Sequence, residues 1–173
     1  NYLLGHGGFF DRFDSLITVV IWLFLFNLLF WLIMKTLNIF GSTGMIGSKS
    51  LKIISKYFPE IKINLLVANN DYKKLAKQVI IYKPKYICLV NSNKYTNLKK
   101  YLNNTKVRII NSSDLSNYLK ETKSDLTILS ISGYASLNYI QSIIINTNLL
   151  GIVNKECIIA GGYLIKKLCL LYK

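Results

Sequence analysis

A glycine-rich segment at residues 41–47, with the sequence GSTGMIG, constrains the fold most strongly, because it joins an apolar stretch to a helical one. Residues 35–40 alternate and end in an apolar pair, which predicts a β-strand. The helical pattern after the glycines continues to about Tyr57, and Pro59 ends it. Glycines at every third position permit a tight turn and close packing of helix on strand. The segment therefore predicts a strand–turn–helix unit.

The rest of the chain repeats this alternation of apolar strands and helices. Such alternation predicts a parallel sheet covered on both faces, and right-handed crossovers make it a Rossmann-like, doubly wound α/β fold. A ligand of such a fold lies at the carboxyl ends of the strands. Further strands are predicted at residues 63–68, 86–90, 106–110, 126–131 and 150–153, and helices at 72–82, 95–103, 114–121, 136–147 and 157–171.

The chemistry of the glycine segment favours a phosphate ligand. Backbone amides at the start of the following helix face an anion, and glycines let a pyrophosphate approach the backbone closely. The alternative is an ordinary glycine-rich turn. The position of the glycine segment directly after the first strand favours a dinucleotide cofactor.

The turn after the second strand bears on which dinucleotide is bound. A carboxylate there would hold the ribose hydroxyls of NAD. Here the turn reads Ala68-Asn69-Asn70-Asp71, and Lys73 and Lys74 open the next helix. No acid follows the strand directly, which favours NADPH, although Asp71 would repel a 2′-phosphate if it faced the ligand.

Residues 16–34 form an uncharged apolar run of 19 residues, LITVVIWLFLFNLLFWLIM. At 1.5 Å per residue a helix over this run spans about 28 Å, close to the hydrocarbon thickness of a bilayer. The run predicts one transmembrane helix that precedes the α/β domain, with a buried core helix as the alternative. We therefore divide the chain into a membrane tail, residues 1–34, and a dinucleotide-binding domain, residues 35–173.

The formal net charge of +14 does not by itself indicate a nucleic-acid partner. Of the 22 basic residues only Arg12 and Arg108 are arginine, the residue that base and phosphate recognition favours. The lysines are spread along the chain, and we predict a solvated basic surface. The three cysteines lack metal-ligand spacing, and His6 is the one histidine in the sequence.

The segment before the apolar run, residues 5–15 (GHGGFFDRFDS), resembles the C-terminal signature of phosphatidate cytidylyltransferase, an integral membrane enzyme. That signature is followed in the family by a final transmembrane helix. Closely spaced carboxylates suit Mg²⁺ bound to a triphosphate, so Asp11 and Asp14 are the candidate metal ligands. The remainder of that enzyme has no counterpart here, and we expect no cytidylyltransferase activity.

Residues 35–173 resemble 1-deoxy-D-xylulose 5-phosphate reductoisomerase. Four ordered segments carry the resemblance: GSTGMIG (41–47), LLVANND (65–71), SISGYASL (130–137) and VNKECIIAGG (153–162). The family converts 1-deoxy-D-xylulose 5-phosphate to 2-C-methyl-D-erythritol 4-phosphate in non-mevalonate isoprenoid synthesis. The resemblance implies NADPH as cofactor, a divalent metal (Mg²⁺ or Mn²⁺) in the complete enzyme, and a homodimer as one arrangement.

The resemblance also implies roles for individual residues. Lys155 would meet the substrate, whereas the other matched positions would contact NADPH: Thr43, Gly44, Met45, Ile46, Asn69, Asn70, Asp71, Asn154 and Glu156. Met45 stands where the family usually has Ser, and Tyr134 where it has a small residue. Asn69-Asn70-Asp71 stands where the family usually has a three-residue turn, which consists of Gly, then a basic residue or Ser, and then Asn.

The acidic metal motif and the C-terminal domain of the family would follow residue 173. We therefore expect the cofactor-binding part of an enzyme that is inactive by itself. The alternatives are a non-catalytic membrane-anchored remnant and an artefactual fusion of two neighbouring genes. The expected location is the bacterial inner membrane with residues 35–173 in the cytoplasm, or the cytoplasm alone if the tail is an artefact.

Overall fold

The computed structural model describes residues 17–25, 35–103 and 105–172, and the chain divides into two units between Met34 and Lys35. In the first unit residues 17–25 are helical and their side chains are exposed. Asp11, Asp14 and most of the apolar run lie outside the described residues. Within the described part of the chain no helix is long and apolar enough to cross a membrane.

The described residues of the second unit form six strands, all paired in parallel. Each strand is short and rich in Ile, Leu and Val, as expected of strands that are buried on both faces. They are β1 (Thr36–Phe40), β2 (Lys62–Ala68), β3 (Tyr86–Leu89), β4 (Arg108–Ile110), β5 (Ser124–Leu129) and β6 (Thr147–Ile152).

A helix follows each strand, which confirms the predicted alternation. Single 3₁₀ turns, Ser92–Lys94 and Tyr134–Ser136, precede the third and fifth of these helices. The helices are α1 (Met45–Tyr57), α2 (Tyr72–Tyr82), α3 (Tyr95–Tyr101), α4 (Leu115–Glu121), α5 (Leu137–Asn146) and α6 (Lys155–Tyr172).

The order of the strands across the sheet is β4-β3-β2-β1-β5-β6. Chain order runs outward from β1 in one direction through β4 and then resumes on the other side with β5. The order therefore reverses between β1 and β5, and the carboxyl ends of these two strands frame the crevice in which doubly wound folds bind ligands.

Two apolar clusters cover the two faces of this sheet. One contains Leu51 of α1, Leu75 of α2 and Leu98 of α3, and the other contains Leu115 of α4, Ile140 of α5 and Cys157 of α6. Helices α1–α3 thus bury one face and helices α4–α6 bury the other. The predicted doubly wound, Rossmann-like α/β fold is confirmed.

The amino end of β1 is fastened to β5 by the carboxylate of Asp125. One oxygen accepts hydrogen bonds from the backbone amides of Lys35 and Thr36 (3.0 and 2.9 Å) and from the Thr36 hydroxyl (2.8 Å), and Asn148 donates to the other at 3.1 Å. Burial raises the pKa of Asp125, but these hydrogen bonds outweigh it, and the pKa lies below its ordinary value.

Candidate functional site

The loop after β1 turns sharply because of Gly41, which has φ of 82°. The amides of Gly41 and Ser42 both donate to the carbonyl oxygen of Val67, at 2.8 and 3.0 Å. A Cβ on Gly41 would lie 2.7 Å from the carbonyl oxygen of Ser130. Glycine is therefore required both by the left-handed conformation and by the close approach of the loop that follows β5.

The carbonyl groups of the glycine loop are held by side chains of the protein. Gln78 Nε2 donates to the carbonyl oxygen of Ser42 at 2.8 Å, and Ser48 Oγ donates to the same oxygen at 3.0 Å. Lys74 Nζ donates to the carbonyl oxygen of Thr43 at 2.6 Å. Donors from α1 and α2 thus occupy the acceptors of the loop, which removes lone pairs that would repel an anion.

The start of α1 has no side-chain cap. Gly44 is the N-cap residue, and no acidic residue occurs in the first turn. The amide of Ser48 bonds to the carbonyl of Gly44 at 3.0 Å, whereas the amides of the three residues before it precede the intrahelical ladder. These amides and the positive end of the helix dipole suit a phosphate group.

Gly47 brings this helix start against the loop. A Cβ at this position would lie 2.3 Å from the carbonyl oxygen of Gly41 and 2.9 Å from Cα of Ser42. Both neighbours are backbone atoms, so they cannot give way as a side chain would. Glycine at 47 is therefore a packing requirement.

Two adjoining cavities lie at the carboxyl ends of the strands and share Ser130, Ile131 and Ser132 as lining residues. The first has a volume of about 310 Å³, and the predicted residues Thr43, Gly44 and Asn69 line it. The second has a volume of about 290 Å³, and the predicted residues Ile46, Asn154, Lys155 and Glu156 line it. The structure thus brings seven of the ten predicted positions of this domain to one crevice.

The other three predicted positions, Met45, Asn70 and Asp71, line neither cavity. The Met45 side chain is 71% exposed. Asn70 Oδ1 accepts a hydrogen bond of 2.7 Å from Asn91, and Asp71 caps α2. Contacts of these three residues with a cofactor stay predictions.

Asn154 has a structural role within the crevice. Its side-chain nitrogen donates to the carbonyl oxygens of Ile131 and Gly133, each at 2.7 Å, and its side-chain oxygen accepts from the Glu156 amide at 2.8 Å. The residue is only 8% exposed. Asn154 therefore positions the loop after β5 and caps α6, and its predicted direct contact with NADPH remains untested.

Three residues of the site, Lys74, Gln78 and Ser130, were not among the predicted contacts. Ser130 Oγ donates to the carbonyl oxygen of Phe40 at 2.7 Å and so joins the loops after β1 and β5. Gln78 carries a signal in the sequence, since it is a polar residue on the apolar face of α2. Lys74 lies one helical turn earlier on that face, and only the folded structure shows that it reaches Thr43.

The opposite edge of the sheet holds a larger, open cavity of about 670 Å³, lined by Thr36, Ile63, Lys83 and Lys85 among others. It lies at the amino ends of the strands, away from the glycine turn and the helix starts. We therefore place the site at the carboxyl edge. Across residues 17–25, 35–103 and 105–172 no group of three or more His, Cys, Asp or Glu side chains could hold a metal ion.

The strand order and the glycine turn define a Rossmann-like domain. Residues 37–162 match the model of the family described as 1-deoxy-D-xylulose 5-phosphate reductoisomerase. The chain belongs to this family and corresponds to its N-terminal part.

Relatives and solved structures agree with this assignment. The chain is 43% identical over 136 residues to the reductoisomerase of Pelagibacter ubique and 33% identical over 144 residues to that of Wigglesworthia glossinidia brevipalpis. These matches cover 78% and 81% of the chain but only 35% and 36% of the relatives, so the chain spans about a third of their length.

Among solved structures, the reductoisomerase of Zymomonas mobilis in complex with NADPH matches with a TM-score of 0.74 and 24% identity. The match covers 80% of this chain and 37% of that one. A reductoisomerase in complex with NADPH, fosmidomycin and magnesium matches with a TM-score of 0.73 and 22% identity, over 80% of this chain and 35% of that one. At these identities the two structures support the fold.

Proposed function

We propose that residues 35–173 bind NADPH and form the cofactor-binding part of an enzyme that converts 1-deoxy-D-xylulose 5-phosphate to 2-C-methyl-D-erythritol 4-phosphate. The observation that carries the proposal is the uncapped start of α1 beside a loop whose carbonyls are held by Lys74, Gln78 and Ser48. This arrangement presents backbone donors to an anion and turns acceptors away from it.

The crevice suggests where each part of the cofactor binds. Residues 43–46 surround the pyrophosphate, and the amides of Met45 and Ile46 are its donors, because the Gly44 amide donates to the Gly41 carbonyl at 3.0 Å. The turn at Asn69 contacts the adenosine ribose. Glu156 lies in the adjoining cavity, where the nicotinamide end would extend.

Lys155 is the residue that we propose for the substrate. Its side chain is exposed at the start of α6, and it lines the same cavity as Ile46 and Glu156. A flexible ammonium group suits a point-charge contact to phosphate or hydroxyl oxygens. Chemistry at the divalent metal, Mg²⁺ or Mn²⁺, and assembly as a homodimer belong to the proposal for the complete enzyme, since the chain spans 35% of a relative.

Isothermal titration of the 173-residue chain with NADPH, in a mild non-ionic detergent, tests the binding proposal. We expect saturable binding with one site per chain. The absence of both a heat of binding and a change in NADPH fluorescence at millimolar NADPH would overturn it. In a parallel assay with 1-deoxy-D-xylulose 5-phosphate and Mg²⁺ we expect no oxidation of NADPH, and turnover by this chain would show that it is catalytically sufficient.

For the tail we propose membrane attachment through residues 16–34, with a sequence derived from a phosphatidate cytidylyltransferase. The uncharged composition of the run and the exposed helical stretch at residues 17–25 support attachment. Expression in bacteria followed by carbonate extraction tests it. Attachment requires the chain to stay in the membrane pellet, and release into the supernatant would count against it.

A further inference from the structure

The turn after β2 has to distinguish two cofactors that differ by a single phosphate. NADPH carries a 2′-phosphate on its adenosine ribose where NADH carries a hydroxyl. An acidic residue at the end of the second strand binds the NADH hydroxyls, whereas a cation accommodates the phosphate. Asp71 is the one acid in the turn of residues 69–71, so its position decides which cofactor the turn suits.

The carboxylate of Asp71 is used by the protein backbone. Its Oδ1 accepts a hydrogen bond of 2.9 Å from the amide of Lys74, and Asp71 is the N-cap residue of α2. An N-cap carboxylate is stabilised there by the helix dipole as well as by the amide. One oxygen of this carboxylate is therefore occupied by the start of α2.

Position 70 of this turn is asparagine and supplies no cation. Asn70 Oδ1 accepts a hydrogen bond of 2.7 Å from Asn91 Nδ2, which ties the turn after β2 to the turn after β3. The turn itself is thus uncharged except for the capping carboxylate. A positive charge for a 2′-phosphate has to come from a neighbouring element.

Lys74 supplies such a charge. Its ammonium group lies 2.6 Å from the carbonyl oxygen of Thr43, so it joins the first turn of α2 to the loop after β1, although the two residues are 31 positions apart in the chain. Thr43 and Gly44 line the first cavity together with Asn69. The ammonium group has three donors, of which the bond to Thr43 uses one. Among the described residues no carboxylate forms an ion pair with Lys74.

We propose that Lys74 is the residue that makes this domain select NADPH over NADH, by binding the 2′-phosphate. The inference rests on the proposed cofactor-binding function and adds the source of its specificity. Lysine is a common phosphate ligand because it acts as a point charge. A lysine that already donates to the glycine loop also loses less side-chain entropy on binding than a free one.

The substitution Lys74→Gln tests this role, because glutamine removes the charge and keeps a side-chain donor for the Thr43 carbonyl. Lys73→Gln is the matched control, since Lys73 is exposed and the change in net charge is the same. Affinities for NADPH and for NADH are measured by calorimetry on the full chain, and circular dichroism checks the fold. Lys74→Arg tests whether a cation of different shape retains the preference for NADPH.

We expect Lys74→Gln to weaken NADPH binding about tenfold, as the loss of one charged hydrogen bond predicts, and to change NADH binding by less than about twofold. The salt dependence of NADPH binding should become less steep, Lys73→Gln should match the wild type, and Lys74→Arg should retain the preference. Equal losses for both cofactors would show that Lys74 only clamps the loop and would overturn the inference. Unselective binding by the wild type would also overturn it, whereas a wild type that binds neither cofactor would overturn the proposed function itself.

Discussion

Gln78 Nε2 donates a hydrogen bond of 2.8 Å to the carbonyl oxygen of Ser42, and through this bond α2 holds the glycine loop that follows β1. Both residues are buried, at 4% and 0% exposure. The loop conformation therefore depends on a neighbouring helix as well as on its own glycines. Ser48 Oγ bonds to the same carbonyl, so the two helices hold the loop from both sides.

Replacement of the Gln78 side chain tests whether α2 holds the glycine loop in shape. We expect Gln78→Leu to lower the free energy of unfolding by about 1 kcal/mol, because one buried hydrogen bond is lost while Ser48 still satisfies the Ser42 carbonyl. NADPH affinity should fall as the loop loosens. Urea unfolding and calorimetry measure the two effects. Lys77→Leu, at an exposed neighbouring position, is the control, and an equal effect of both variants would remove the special role of Gln78.

Two helical glycines give opposite predictions for the same substitution. Gly47→Ala places a methyl group against the backbone of Gly41 and Ser42, and we expect it to destabilise the domain by about 1–3 kcal/mol. Gly162→Ala, in α6, meets nothing within 4 Å and should stabilise by up to about 1 kcal/mol, since alanine favours the helix. Thermal and urea unfolding of the pair check this. A tolerated Gly47→Ala would contradict the close approach of helix and loop.

The helix cap at Asp71 predicts a difference between two substitutions. Asp71→Ala should lower the free energy of unfolding by about 1 kcal/mol. Asp71→Asn should lower it little, because the asparagine side chain accepts the same hydrogen bond from the backbone amide of Lys74. NADH affinity should be unchanged in Asp71→Asn if the carboxylate serves only as the cap of α2. A marked loss of NADH binding in that variant would show that the acid does reach the cofactor.

Asp125 predicts a pH dependence of stability. Its pKa is lower in the folded protein than in the unfolded chain, because the hydrogen bonds from Thr36, Lys35 and Asn148 outweigh the effect of burial. The stabilisation is therefore complete above the unfolded pKa of about 3.9 and is lost as the pH falls through the folded value.

The comparison of wild type with Asp125→Asn measures this effect. The difference in unfolding free energy should be constant above about pH 5 and shrink below about pH 4. Asp114→Asn, which alters an exposed carboxylate, is the control in the same urea titrations. A difference that stays constant down to about pH 3 would show that the charge on Asp125 is not what stabilises the junction of β1 and β5.

The alternation of strands and helices could be predicted because each strand is apolar and a turn signal follows it. The predicted helix at 72–82 coincides with α2, whose start is set locally by the Asp71 cap. The predicted glycine turn is also present. These features depend on short-range preferences, which the sequence displays directly.

Two of the boundaries that differ from the prediction lie at contacts between distant segments. The sequence predicts that the fifth strand runs to residue 131, but the strand ends at Leu129, and the amide and hydroxyl of Ser130 both donate to the Phe40 carbonyl of β1 (2.9 and 2.7 Å). The sixth strand was predicted from residue 150 but begins at Thr147, whose hydroxyl lies 2.7 Å from that of Thr127. Polar residues at these positions look like loop residues until their partners are known.

The candidate site likewise contains residues that the sequence predicts and residues that it does not. The glycine loop and the Asn154–Glu156 segment were found from motifs, and the structure brings them to adjoining cavities. The residues that hold the loop in shape, Lys74 and Gln78, lie on α2 and have no motif. Gln78 stands out as a polar residue on the apolar face of α2, but the partners of both residues, Ser42 and Thr43, are known only from the fold.

Hydrogen–deuterium exchange of the 173-residue chain with and without NADPH tests the central claim most directly. We predict that NADPH slows exchange at residues 41–47, 69–71, 130–136 and 153–156, which surround the crevice at the carboxyl edge. Exchange at residues 83–85, on the opposite edge, should be unchanged. Protection confined to the opposite edge, or no protection at residues 41–47 under saturating NADPH, would contradict the assignment of this domain as the cofactor-binding part of a reductoisomerase.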